Sequence, residues 1–259
     1  MPVALLHTVS TAIARCELTF IEREPVEHAR ALAQQEDYCA ALRECGARII
    51  MLDANACFPD ACFVEDAALV LDELAVIANP GAAARRGETA VIAAELAKYR
   101  ELAFIESPAT MDGGDVLRTG RRLFVGRSGR TNEAAIEALA RLLTPIGYEV
   151  IPVPVAGTLH LKTACTAIDE ETLLVNPRWL SLEPFRGYRL IEVAADEPWA
   201  ANILRIGATL IAQAGFPKTL ERIRPHCEQI RLVDISEFRK AEAGLTCLSI
   251  LFDEGDENE

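Results

Sequence analysis

The chain has 259 residues, 51% of them hydrophobic and 25% charged, with a formal net charge of −13 at pH 7 and a pI near 4.9. Enough apolar residues to build a core exclude a disordered chain. The acidic balance excludes nucleic acid as an expected partner, because neutralising phosphates takes clustered Lys and Arg. His7, Thr8, Ser10 and Thr11 interrupt the N-terminal apolar stretch, no uninterrupted apolar run reaches about eighteen residues, and the eight cysteines show no CxxC pair; no secretory signal, membrane span or structural metal site is therefore expected, and free thiols in a reducing cytoplasm are.

In chain order, short apolar runs alternate with helical patterns. Glu27 to Glu44 is rich in Ala, Leu, Gln and Glu and is followed by Gly46, which predicts a helix. Ile49-Ile50-Met51-Leu52 predicts a buried strand. Phe63-Val64 and Leu69-Val70-Leu71 predict a second strand-like stretch, followed by Ala75-Val76-Ile77-Ala78. Gly87 to Lys98 is helix-like. Val116-Leu117 and Leu123-Phe124-Val125 flank a Thr119-Gly120-Arg121 turn, a hairpin signal. Asn132 to Leu143 is helical, with Thr131-Asn132 as its cap. Leu173-Leu174-Val175, Leu190-Ile191-Glu192-Val193 and Leu248 to Phe252 predict strands, and Ser236 to Ala243 a short helix leading into Cys247. Strand, strand, helix, strand recurs roughly every fifty residues without a repeated sequence motif. The expectation is one domain over residues 1–252 and an acidic tail over 253–259, of class α/β or α+β.

Four stretches set unusual polar residues among apolar ones. In Pro59 to Ala67, Glu65 and Asp66 interrupt a strand-like run; a carboxylate near an apolar interior needs a cationic partner, and a guanidinium offers two parallel hydrogen bonds. An internal Arg salt bridge, or a strand end in water, fits that pattern equally well. Met111-Asp112-Gly113-Gly114-Asp115-Val116 places paired glycines between carboxylates, and reads as a close approach to a ligand or as an ordinary turn. His160, one of four histidines, lies between two leucines; it is a core histidine or a proton shuttle. Gly244-Leu245-Thr246-Cys247-Leu248-Ser249 opens the last strand-like run, but spacing alone does not select Cys247 over Cys165 or Cys62.

Together the stretches resemble the dimethylarginine dimethylaminohydrolases, within the wider superfamily of guanidino-group-modifying enzymes. The resemblance is carried by Phe63-Val64-Glu65-Asp66, Met111 to Leu117, Phe124-Val125-Gly126-Arg127-Ser128-Gly129-Arg130-Thr131-Asn132, Leu159-His160-Leu161-Lys162 and Leu245-Thr246-Cys247-Leu248-Ser249, in that order. It implies a pentein, a five-bladed α/β propeller of repeated ββαβ units with pseudo-fivefold symmetry. It also implies a cysteine hydrolase that converts methylated or dimethylated L-arginine and water into L-citrulline and an alkylamine.

Residue by residue, the resemblance makes Cys247 the nucleophile, His160 the general acid and base, and Asp112 the acid that orients that histidine. Asp66 would grip the guanidinium with Glu65 and Phe63 beside it. Asp60 would lie near the substrate's α-amino end, and Arg85 and Arg130 would hold its α-carboxylate, with Arg86 competing for the place of Arg85. Leu18 would belong to a loop covering the site, and Glu242 is a further lining candidate. The implied partner is a small cationic guanidino compound, with no metal and no organic cofactor, in a possible homodimer. Two other readings come with the resemblance: arginine deimination by the same chemistry, and a non-catalytic ribosome-binding factor of the same fold, which the full Cys, His and carboxylate set and the acidic charge disfavour.

Overall fold

The computed structural model describes residues 1–254. Its first strand, β1 (Pro2–His7), buries Val3 and Leu5 against one core cluster and Ala4 and Leu6 against another. A strand apolar on both faces belongs inside a covered sheet. Helix α1 (His28–Glu44) crosses from it to β2 (Arg48–Leu52), which runs parallel to β1. Ala31, Gln34, Gln35, Tyr38, Cys39, Ala41 and Leu42 are the buried positions of α1, spaced so that one stripe faces the core.

The same plan then recurs. β3 (Ala68–Val70) and β4 (Leu74–Ile77) pair antiparallel, α2 (Thr89–Leu96) crosses over, and β5 (Glu101–Phe104) pairs parallel with β4. β6 (Val116–Thr119), β7 (Arg122–Arg127), α3 (Glu133–Leu143) and β8 (Glu149–Pro154) follow in like order. The four-residue helix α4 (Leu161–Ala164) leads into β9 (Cys165–Ala167), β10 (Thr172–Val175) and β11 (Arg189–Glu192), where a 3₁₀ turn at Glu183–Phe185 stands in for the crossover helix. β12 (Leu204–Ile206), β13 (Thr209–Gln213), α5 (Pro217–Ile223) and β14 (Gln229–Val233) form the next unit. After α6 (Ser236–Arg239), β15 (Ile250–Asp253) pairs antiparallel with β1 and completes the sheet that the N-terminus began. Among the described residues this gives five three-stranded sheets, each with an antiparallel neighbour on one side of its central strand and a parallel one on the other. No helix among the described residues is long and apolar enough to cross a membrane.

The predicted hairpin forms as β6 and β7, and Asn132 caps α3, its Oδ1 accepting the Ala135 N–H at 3.0 Å. Three expectations change. Phe63-Val64 is not a strand: Val64–Ala67 is a fully buried 3₁₀ turn, because its two carboxylates reach partners on different elements. Leu248 also lies in a turn, Thr246–Leu248, so the last strand starts two residues later. At its other end, Asp253 pairs in register with Pro2 and Glu254 meets Arg48, which removes both from the expected acidic tail. The rest of that tail, 255–259, lies outside the described residues.

What matters for function is where turns fall in the repeat. Each first strand is preceded by a short turn or helix: Val64–Ala67 before β3, Gly113–Asp115 before β6, Leu161–Ala164 before β9, Pro198–Ala201 before β12 and Thr246–Leu248 before β15. Four pairs of these turns pack together: Thr246–Leu248 on Val64–Ala67, Val64–Ala67 on Gly113–Asp115, Gly113–Asp115 on Leu161–Ala164, and Leu161–Ala164 on Pro198–Ala201. Close approach there needs glycine: a Cβ on Gly114 would lie 2.6 Å from His160 Nδ1, and one on Gly113 would strike the Glu65 carbonyl. The cores lie outboard, between sheets and helices, where each fully buried Leu or Phe contributes about 1.5–3 kcal/mol. They fix the frame so that the centre can hold polar groups.

Candidate active site

Every polar stretch singled out in the sequence maps to one of these equivalent turns or to a loop that covers them. A cavity with an accessible volume of about 20 Å³ is lined by Asp60, Phe63, Asp66, Arg85, Arg130, His160 and Cys247, together with Glu17, Leu159, Ala241, Glu242 and Ala243. That is room for about one water molecule. Seven of the ten residues expected at the site therefore line one space. The other three do not: Asp112 stands behind His160, Glu65 faces elsewhere, and Leu18 packs against the core beside α1 while its neighbour Glu17 lines the cavity.

His160 is 3% exposed. Its Nε2 lies 3.1 Å from Asp112 Oδ2 and its Nδ1 lies 3.8 Å from Asp66 Oδ1. Burial alone would lower its pKa, but Asp66, the Asp112 hydrogen bond and the Asp115 charge outweigh it and raise the pKa to about 9. Asp112 is itself held by the Gly81 N–H at 2.9 Å. Asp115 holds the chain on which His160 sits: its carboxylate accepts the Leu161 N–H at 2.9 Å and the Ser128 hydroxyl at 2.6 Å.

Asp66 accepts from Gly114 N–H at 3.0 Å and from Arg85 Nη1 at 2.5 Å. Burial pushes its pKa upward, yet the charges of His160 and Arg85 and that backbone donor hold it below the usual carboxylate range. Arg85 also donates to Glu88 at 2.9 Å and to the Phe63 carbonyl at 2.9 Å. Arg86 is exposed and donates to the Pro80 carbonyl, whereas Arg85 lines the cavity. Glu88 escaped the sequence reading, since nothing in a helical Glu-Thr-Ala signals a partner for a buried guanidinium. Its own pKa rises to about 7, through burial only partly offset by Arg85.

Arg130 lies 3.7 Å from Asp112 and donates to Thr19 Oγ1 at 3.3 Å. Asp60 accepts the Glu17 N–H at 3.2 Å, and its pKa is raised by burial. Cys247 is half-buried, and its Sγ accepts the Gly244 N–H at 3.4 Å. Burial, then the carboxylates of Glu65 and Asp66, push its thiol pKa well up. Glu65 sits on the far side of the turn, pairing with Lys162 Nζ at 2.5 Å and accepting from Thr246 Oγ1 at 2.8 Å. It lines a separate cavity of about 300 Å³ bounded by the first strands of all five sheets. Ligand atoms of Asp66, Asp112 and His160 lie within 4.8 Å of one another, the one trio among the described residues with metal-binding proximity; each of the two carboxylates already accepts protein donors.

The arrangement joins a thiol, a buried imidazolium and an ionised carboxylate in a closed space, with further carboxylate and guanidinium groups around it. Such a set suits attack on a planar cation. Comparisons with known proteins agree with that class. The model of the family described as N,N dimethylarginine dimethylhydrolase, eukaryotic, matches residues 10–183. The chain is similar to the N(G),N(G)-dimethylarginine dimethylaminohydrolase of Streptomyces coelicolor, 38% identical with 95% of each chain covered. It is 33% identical to the enzyme of that name from Pseudomonas aeruginosa, over 87% of this chain and 90% of the other. A solved structure of the Pseudomonas enzyme, a cysteine-to-serine mutant complexed with citrulline, superposes with a TM-score of 0.92 at 31% identity, covering 96% of this chain and 98% of that one. The chain belongs to the dimethylarginine dimethylaminohydrolase family.

Proposed function

We propose that this protein hydrolyses Nω-methylated L-arginine to L-citrulline and an alkylamine, with Cys247 as nucleophile, His160 as acid and base, Asp112 orienting His160, and Asp66 gripping the guanidinium. The observation that carries the reading is the single small cavity in which Cys247, His160, Asp66, Asp60, Arg85 and Arg130 meet. A guanidinium is resonance-stabilised and resists attack; a carboxylate that localises its charge eases addition at the central carbon. Burial and the carboxylates of Glu65 and Asp66 favour the neutral thiol in the free protein, and Asp66, Asp112 and Asp115 favour the charged imidazole. Binding of a cation beside Cys247 favours the thiolate, and the thiol proton, which an already protonated His160 does not accept, leaves to solvent. The thiolate adds to the guanidinium carbon. His160 then protonates the leaving alkylamine as the C–N bond breaks, leaving a covalent thiouronium. The neutral imidazole next takes a proton from water, whose oxygen adds to the same carbon; the adduct then expels the Cys247 sulfur, which takes up the adduct's hydroxyl proton to restore the thiol, and citrulline is released.

Arg130, with its weaker contacts, is the better placed of the two arginines to take the α-carboxylate, while Arg85 fixes Asp66. Glu65 acts from behind, through its charge and through Thr246, the residue before the nucleophile. The five-sheet plan supports a five-bladed propeller around the turns that build the site, and eight free thiols support a reducing cytoplasm. Citrulline release from asymmetric dimethylarginine, monomethylarginine and arginine, with Cys247→Ser as control, tests the reading. Turnover of the methylated substrates that the control abolishes supports it; turnover of arginine alone replaces it with deimination.

A further inference from the structure

The cavity around Cys247 is too small for any arginine derivative, so the cover over it must move. The segment 17–21 supplies Glu17 to the cavity's lining and Thr19 Oγ1 to Arg130 at its edge, and its fastening is unusual. Glu242 takes three successive backbone donors from it: Thr19 N at 2.8 Å, Phe20 N, and Ile21 N at 2.9 Å. Asp60 takes the Glu17 N–H at the other end. Backbone N–H groups on a carboxylate are charge-assisted hydrogen bonds, about twice as strong as neutral ones. A second, independent feature points to the same residue. Glu242 has φ 58°, the only positive-φ residue other than glycine among the described ones. L-residues with long side chains avoid that region, which favours Gly or Asn. A glutamate kept there marks a demand on its side chain. Beyond it lies an open cavity of about 380 Å³ that shares Glu242 and Ala243 with the closed one and is otherwise bounded by Ile21, Glu24, Trp199 and Arg239, among others.

We propose that Glu242 is a positioning residue: its carboxylate clasps residues 19–21 over the site, and its release joins the site to this outer cavity, the route by which the substrate enters. The substrate side of this inference rests on the proposed hydrolase reading; the clasp does not. Glu242→Gly suits the backbone conformation while deleting the carboxylate, and Glu242→Gln keeps one acceptor oxygen.

Amide hydrogen exchange at Thr19, Phe20 and Ile21 should quicken by about 10–100-fold in Glu242→Gly and less in Glu242→Gln, given the usual strength of hydrogen bonds to charged groups. Alkylation of Cys247 by iodoacetamide, followed by peptide mass, should quicken in parallel. Under turnover, KM should rise about tenfold with kcat changed less than about threefold, because the clasp re-forms over the bound substrate and its loss removes ground-state retention rather than transition-state bonding. Ile21→Pro removes one donor from the other side, and combining it with Glu242→Gly should add little. Unchanged exchange and unchanged alkylation in a folded Glu242→Gly protein overturn the clasp whatever the activity. So does full additivity in the double variant. Because exchange and alkylation need no substrate, failure of the hydrolase reading leaves this test intact; a fall in kcat at unchanged KM would instead place Glu242 among groups that touch the reacting atoms.

Discussion

Glu65 and Asp66 are neighbours in one 3₁₀ turn, yet they serve opposite sides of the molecule's polar centre. With three residues per turn, adjacent side chains diverge by roughly 120°. Asp66 turns toward the closed cavity, where Arg85, His160 and the Gly114 N–H hold it ionised below the ordinary carboxylate range. Glu65 turns toward the open cavity lined by all five first strands, where burial outweighs Lys162 and Thr246 and raises its pKa. Burial opposes ionisation on both sides. The number and sign of close partners decide the outcome, and chemistry belongs on the side where the anion is secured and the space is closed.

The largest effect expected on that contrast is from Cys247→Ser, which should lower kcat by at least about 10⁴-fold with the fold intact, because a hydroxyl at this site lacks the thiolate's nucleophilicity. Citrulline release and thermal melting together check it; residual activity above a tenth would move the nucleophile elsewhere. Next comes Asp66→Asn, which removes the charge proposed to grip the cation. A loss in kcat/KM on the order of 10²–10³-fold is expected, the range for deleting one preorganised electrostatic group. Breaking the buried pair with Arg85 costs stability too, although Glu88 still neutralises that guanidinium, so the loss should fall below the roughly 3–5 kcal/mol of a wholly uncompensated charge.

Glu65→Gln should invert this balance. It strips Lys162 of its carboxylate and should lower stability by about 1–3 kcal/mol, measured by denaturant unfolding, while kcat/KM falls no more than about tenfold. Activity losses equal to those of Asp66→Asn would erase the division between the two sides.

How far the sequence reveals this division depends on the scale asked about. Apolar runs at Ile49–Leu52, Leu173–Val175 and in the β6–β7 hairpin declare themselves, since burial of whole strands leaves a local pattern. The paired carboxylates at 65 and 66 are visible as anomalies, but an extended reading only happens to put them on opposite faces; the turn that does so forms because partners 97 and 19 residues away draw them apart. Glu88 and the donors that Glu242 gathers are invisible for the same reason, as each acquires meaning only through contacts distant in sequence. β1 escaped too, because a strand buried on both faces lacks alternation. The choice of Cys247 rests on family resemblance rather than on spacing, and Cys247 and His160 line the same closed cavity.

The smallest effect expected concerns His160, and it reports how strongly the closed side favours a cation. Its folded pKa of about 9 lies above the roughly 6.5 of an unfolded histidine. The folded state therefore binds the proton more tightly. The stability this contributes is complete below about pH 6.5 and is lost as pH rises through about 9. Melting temperatures measured between pH 6.5 and 9.5 should decline more in the wild type than in His160→Gln, which has no such proton. Asp112→Asn removes one of the groups that raise the pKa, so the decline should end at a lower pH. Identical slopes for the wild type and His160→Gln would mean that His160 is neutral in the folded protein. In that case the first proton for the leaving amine would have to come from the Cys247 thiol, passed to the imidazole as the thiolate forms.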